Sequence, residues 1–245
     1  MKTSLERKVN LLTAYAVAST LVFGVCILSS FNEKEKKLAV DELTAKRINV
    51  VDEKGELKMV ISDKERQHSG RMNGKDFPKR ERPAGIIFFN DEGDECGGLV
   101  YAGSTKDGKV SSGMSFTMDQ YHDDQVIQIL NDEEFENGSA NVQRGISINE
   151  YPVGSNIITR NDKIEKLQQI ADAKERDQKI QDLWDKEGSK RRLFIGRSRG
   201  NNSGLFLYDK NGKPRMKIYV DEKGNPKIET IGENGEVKNY LEDKR

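Results

Sequence analysis

Two cysteines, Cys26 and Cys96, are all that the 245 residues hold, and Cys26 lies inside an apolar run. No disulfide framework can therefore staple the polar part of the chain. Net charge is also missing: 41 basic residues face 41 acidic ones. That balance argues against a nucleic-acid or anionic-lipid binder. Histidine is scarce, and His68 and His122 both precede the one serine set in a nucleophile-like motif. Long apolar runs are absent except for one near the N-terminus, and the mean hydropathy is −0.78 with 33% charged residues. Such a chain suits a thin sheet with one wet face better than a thick α/β core.

The apolar run extends from Val9 to Asn32 without a charge. A bilayer needs about 20 predominantly apolar residues, so the run reads as a transmembrane helix over 10–31, a signal-anchor behind a short tail, 1–9. It exceeds the apolar region of a cleaved signal peptide and has no small-x-small cleavage site. Val25 stands before Cys26 where a lipoprotein would carry a small residue, which disfavours lipidation there. Residues 32–43, with Glu33, Lys34, Glu35 and Lys36 around Leu38 and Val40, read as a charged stalk continuing the membrane helix. Orientation is contested by charge. Lys34, Lys36, Lys37, Lys46 and Arg47 outnumber Lys2, Arg7 and Lys8, which counted strictly would leave the large domain in the cytoplasm. Glu33 and Glu35 interleave the following lysines, and large domains cross largely regardless of charge. The expectation is a single-pass membrane protein with its soluble domain on the outer side.

From residue 44 onward the period changes to two. Ile48 and Val50, then Leu57, Met59 and Ile61, alternate with polar residues around Asp52 to Gly55, a hairpin signature. The unit recurs at Asn90 to Gly93, Thr105 to Gly108, Asp209 to Gly212, Asp221 to Gly224 and Gly232 to Gly235. Asp or Asn at the first place accepts backbone N–H bonds, and Gly at the fourth supplies positive φ. The expected fold is mainly β: an antiparallel, hairpin-rich domain over 44–245, a meander, barrel or solenoid. At its C-terminal end Leu205, Leu207, Met216, Ile218, Val220, Val237 and Leu241 fall on one face. Arg215, Lys217, Lys227, Glu229 and Lys238 fall on the other. The unbroken run Ile86 to Phe89 suggests a central strand covered on both sides.

One segment breaks this pattern. Ile164, Leu167, Ile170, Ala171, Ile180, Leu183 and Trp184 recur at helical spacing, which predicts one long inserted helix over 161–188, capped by Asn161 or Asp162 and ended by Gly188. Its apolar stripe thins across Lys174 to Gln178, so it either lies across the sheet or projects as an arm. The stretch from Asp63 to Pro83 is the longest without pattern.

Candidate chemistry is sparse. Gly196 to Gly200 matches G-x-S-x-G around Ser198, but the residues after it, Asn201 to Gly204, forbid the helix that a nucleophile elbow requires. Asp119, Tyr121, His122, Asp123 and Asp124 gather ligand types for a metal or an acid–base pair, and equally suit a polar turn between strands. Asp91, Asp94 and Glu95 form the most acidic turn and fit no EF-hand spacing, leaving a hairpin loop or a weak cation site. Lys190, Arg191, Arg192, Arg197 and Arg199 form the one dense basic run, expected to pair with acidic neighbours across strands. No cofactor is expected. Asn137 to Ser139 and Asn201 to Ser203 are formal sequons, meaningful only in a eukaryotic secreted setting.

Three stretches, Arg47 to Asp52, Phe89 to Leu99 and Pro214 to Lys227, resemble those of a family of bacterial single-span, membrane-anchored, β-rich proteins of no known function. The resemblance implies bacterial origin and no activity. The expected function is a non-enzymatic envelope protein, held in the membrane through residues 10–31, whose β domain forms a homo-oligomer or binds a protein partner. The alternatives are an envelope glycan hydrolase using Asp119, Asp123, Asp124 or Glu95, and a calcium-dependent binding module.

Overall fold

A computed structural model describes residues 3–30 and 37–241 of the chain. They divide into two units, 1–44 and 45–245.

The first unit is α1 (Ser4–Ser30), about 40 Å long at 1.5 Å per residue. Thr3 and Glu6 close its start reciprocally: Thr3 N–H donates to Glu6 Oε2 at 2.8 Å and Glu6 N–H to Thr3 Oγ1 at 3.4 Å. Along the apolar part, Thr13 and Thr20 hydroxyls donate to the carbonyls of Val9 and Ala16, both at 2.9 Å, so neither needs water. Residues Ser4–Ile27 are long and apolar enough to cross a membrane. The expected stalk falls partly on residues 31–36, outside the described residues; the remainder, 37–43, is not helical.

The second unit is built by turns. Gly55, Gly93, Gly212, Gly224 and Gly235 donate back to the carbonyls of Asp52, Asn90, Asp209, Asp221 and Gly232 at 2.9–3.1 Å, with φ between 76° and 86°. Asp52, Asn90, Asp209 and Asp221 also accept from amides two and four residues on. Asp107-Gly108 differs: both residues have positive φ, giving a two-residue turn, and Asn137-Gly138 makes another that the spacing rule overlooked.

Among the described residues these turns fold fourteen strands: β1 (Arg47–Val51), β2 (Leu57–Ser62), β3 (Arg71–Met72), β4 (Lys75–Asp76), β5 (Ala84–Phe89), β6 (Glu95–Lys106), β7 (Lys109–Asp119), β8 (Gln125–Glu136), β9 (Ser139–Glu150), β10 (Lys190–Arg197), β11 (Ser203–Tyr208), β12 (Pro214–Val220), β13 (Pro226–Ile231) and β14 (Val237–Asn239). Twelve form one antiparallel meander in chain order, from β1 to β14 without β3 and β4, which pair with each other. Each edge strand has a single partner, so the sheet is open.

Its two faces differ. On one, Val60, Ile87 and Phe89 are buried with Leu57 and Val100 against them. The segment between β2 and β5 caps them: His68 meets Phe89 edge-on at 4.9 Å, Met72 is buried, and Gln67 Nε2 donates to the Gly85 carbonyl at 3.2 Å. Farther along this covered face, Phe194, Phe206 and Tyr219 stack with centroids 5.8 and 5.9 Å apart. A Cβ on Gly145 would stand 2.2 Å from the Ile195 carbonyl oxygen and 3.0 Å from the Phe194 ring, so only glycine fits there. Among the described residues of this unit, none caps the opposite face. Strand β5, expected to be central, is the third of the twelve and is covered on one side only: Ile87 and Phe89 are buried, whereas Ile86 and Phe88 are half-buried. The C-terminal alternation also shifts at the last hairpin. Val237 pairs with Ile231 and Lys238 with Thr230, which exchanges the faces expected for Val237 and Lys238. A strand reversed by one residue flips every side chain.

The insertion is two helices rather than one: α2 (Ile157–Gln168) and α3 (Ala173–Glu187). Asn156 caps α2, accepting from Ile158 and Thr159 amides. Asp172 takes the Glu175 amide at 2.7 Å and so starts a new helix where a continuous one was expected. Gly188 ends α3 as expected, its N–H on the Trp184 carbonyl at 2.9 Å. Arg160 of α2 pins the pair to the β7–β8 turn. Its guanidinium takes both oxygens of Asp123, Nη1 at 2.9 Å, and lies 4.8 Å from the Tyr151 ring and 5.4 Å from Trp184. Arg160 and Asp123 are almost fully buried.

Removing one partner of a buried pair strands the other charge. Arg160→Met should lower unfolding free energy by about 3–5 kcal/mol, read as a fall in the urea midpoint of the full chain in detergent. Adding Asp123→Leu should restore part of that loss.

Candidate functional site

Period-two alternation, multiplied by a meander in register, aligns side chains into rows. Ile48, Ile61, Ile86, Leu99, Phe116, Ile129, Ile146, Ile195, Leu205, Ile218 and Ile228 are successive cross-strand partners from β1 to β13. One step along, Val50, Met59, Phe88, Met118, Ile127, Ile148, Leu193, Leu207 and Met216 form a second row, interrupted by Gly97. This is the uncapped face. Val50, Ile61, Met118, Ile129, Ile146, Ile148, Ile195 and Ile218 are 37–50% exposed. Scattered exposed apolar residues are ordinary, but a continuous stripe of this extent is not.

A meander also places alternate turns at the same end of the sheet. The β5–β6 and β7–β8 turns meet there, and with them most of the candidate polar residues. His122, held at φ 59°, sets Nε2 3.2 Å from Glu92 Oε2 and 3.5 Å from Asp94 Oδ2. The Tyr121 ring stacks on His122 at 3.9 Å, and its hydroxyl donates to Glu92 Oε2 at 2.9 Å. That bond, followed by the one from His122, holds the Glu92 carboxyl below its ordinary pKa. Asp94 is 1% exposed; its Oδ1 accepts from the Gly74 amide at 3.3 Å, while Oδ2 has no hydrogen-bond partner.

Beside this triad a cleft of about 590 Å³ is lined by Phe77, Arg80, Arg82, Glu95, Asp119 and Asp124, among others. Arg82 donates both guanidinium nitrogens to Glu95, at 2.8 and 2.7 Å. Asp119 has no such partner for its buried Oδ1. Burial, helped by the charges of Asp124 and Glu95 and opposed by Arg82, pushes its pKa up to about 7. Burial also pushes the neighbouring Cys96 thiol up, away from a reactive thiolate.

The expected candidates thus separate. Asp94 and His122 come together; Asp119, Glu95 and Asp124 share the cleft; Asp123 is spent on Arg160; Asp91 points into solvent, 4.0 Å from Lys58. Glu92 and Arg82 were not singled out from the sequence. Glu92 sits next to Asp91 in the same turn, and only the pairing of β6 with β7 brings it opposite His122. Ser198 lies in a hairpin turn, closed by Ser198 N–H to the Asn202 carbonyl at 2.8 Å, with strand rather than helix after it. Of the basic run, Arg192 pairs with Glu150 and Arg199 with Asp132 as expected, whereas Arg197 Nη1 donates to the Val142 carbonyl at 2.6 Å, Lys190 Nζ to the Trp184 carbonyl at 3.3 Å, and Arg191 lies over the Tyr208 ring. No protein-family model, curated protein or solved structure matches the chain.

A carboxyl whose pKa rises on folding favours the native state while protonated. Native Asp119 keeps its proton up to about pH 7 whereas the unfolded chain releases it near 3.8, so its contribution falls as pH rises through that window and is flat above it. Asp119→Asn should therefore raise the melting temperature relative to wild type at pH 8, by a stabilisation of about 4 kcal/mol at most, and leave it nearly unchanged near pH 4.

Proposed function

We propose that the chain is a non-enzymatic, membrane-anchored envelope protein whose sheet associates face to face with a second copy. The observation that carries this reading is the pair of apolar rows left open on one side of the sheet. Eleven strands about 4.8 Å apart and two rows about 7 Å apart describe a stripe on the order of 700 Å². A standard stable interface uses about 800 Å² per partner. Tyr101, Met114 and Val220, all exposed, extend the surface beyond it. A second copy offers the same stripe, and two such sheets packed about 10 Å apart make the sandwich core that a single layer lacks. Anchoring in one membrane raises the effective concentration of the two copies.

The same Asp119 and Asp124 cleft supports a second reading, a hydrolase of envelope glycans, because a carboxyl that titrates near neutrality suits a general acid. Against it, Glu95 is occupied by Arg82 and Asp123 by Arg160, so the supply of free carboxylates is small. We favour the non-enzymatic reading on that ground.

The full chain in detergent should sediment as a dimer. Ile129→Glu with Ile195→Glu, at positions 50% and 47% exposed, should return it to monomer without loss of fold. A wild type that stays monomeric at high concentration would sink the proposal, and a dimer unaffected by the two substitutions would assign the contact to another surface. In intact spheroplasts, added protease should digest residues 45–245; protection that ends on lysis would place the sheet in the cytoplasm instead.

A further inference from the structure

We propose that Glu92, Asp94 and His122 form a binding site for a divalent first-row transition metal, Zn²⁺ foremost. The site is independent of the apolar face and stands on three observations.

The first is spacing. Ligand atoms about 2.1 Å from a tetrahedral metal stand about 3.4 Å from one another. Here the His122 nitrogen lies 3.2 Å from a Glu92 oxygen and 3.5 Å from an Asp94 oxygen, and one donor atom from each residue fits within a 4.8 Å set. The three donors thus lie close enough for a single ion to reach all of them.

The second is the state of Asp94. Its side chain is 2% exposed, and a buried carboxylate oxygen without a hydrogen bond is costly. The Gly74 amide fixes Oδ1, which leaves the unpartnered Oδ2 facing His122. A cation there satisfies that oxygen and replaces the contact with His122 by a shared metal.

The third is support around the ligands. Tyr121 stacks on the imidazole and donates to Glu92, so two of the three ligands are oriented by one neighbour. His122 itself sits in the left-handed region, which costs a non-glycine residue energy and aims its ring at the adjacent turn. Outer groups of this kind fix ligand geometry in metal sites.

Donor chemistry selects the ion. Calcium takes six to eight oxygens, whereas this site offers an imidazole and two carboxylates, a set suited to zinc and its neighbours. Glu92 is exposed, so the remaining coordination position faces solvent and is filled by water or by a ligand atom of a partner.

The test is titration of the metal-free full chain in detergent with Zn²⁺ by calorimetry and with Co²⁺ by visible absorption. One ion per chain should bind, with the visible bands of a four- or five-coordinate Co²⁺ centre, and Zn²⁺ should raise the melting temperature where Ca²⁺ does not. His122→Asn, which tolerates the same left-handed backbone, and Glu92→Gln should each abolish the bands. Tyr121→Phe should weaken binding about tenfold or more, while Asp91→Asn should leave it unchanged. No binding by wild type, equal binding by His122→Asn, or stabilisation by Ca²⁺ alone would overturn the assignment. Because the ligands lie at the turns, loss of metal binding and loss of dimerisation are scored by different variants.

Discussion

A sheet built of sequential hairpins has two faces, and the described residues of the second unit cover only one of them. That constraint governs the rest of the second unit. The backbone ladder links twelve strands in succession, with bulges in several pairs, and satisfies most of their hydrogen bonds, but a single layer cannot bury both sides of an alternating strand. The segment between β2 and β5 caps one stretch, and Phe194, Phe206 and Tyr219 close over a glycine-lined part of the same side. The apolar rows on the opposite side are left open by the described residues of the same unit, which is why that side, and not a cleft, dominates the functional reading.

The polar chemistry collects where the hairpins end. Turns of alternate hairpins lie next to one another along one rim, so short-range turn chemistry becomes long-range clustering. Asn90 closes its own turn and in doing so fixes Glu92 and Asp94; the β7–β8 turn positions His122, Asp123 and Asp124 at the same rim. The helical pair α2–α3 is tied to that rim by Arg160, and the ion pair of Lys163 with Glu187, at 2.7 Å, ties the helices to each other. One buried arginine thus couples an insertion of two helices to the turn that bears the histidine.

Local signals were legible in the sequence in proportion to how local their causes are. The Asp-x-x-Gly tetrads read correctly because a side-chain acceptor and a positive-φ glycine act within five residues. The N-terminal helix was equally plain, being a matter of length and hydropathy. The insertion was misjudged as one helix because Ile170 and Ala171 continue the apolar spacing; α2 closes at Gln169, and the Asp172 carboxylate, taking the Glu175 amide, starts a second helix. Strand β5 seemed doubly covered because four apolar residues in a row look the same whether one face or both are packed. Of the polar candidates, Asp94 and His122 were visible as types, but their partnership with Glu92 was not.

By itself the sequence determined the apolar helix, the antiparallel hairpins and the alternation that makes one face of each strand apolar, since all three follow from spacing along the chain. The tertiary structure alone decided that eleven strands would hold one register. Register turns separate alternations into continuous rows, leaves those rows open, and brings Glu92, Asp94 and His122 from two turns within reach of one ion. Distances between turns depend on how strands pair, and pairing is a sum over the whole ladder that no local stretch of residues contains.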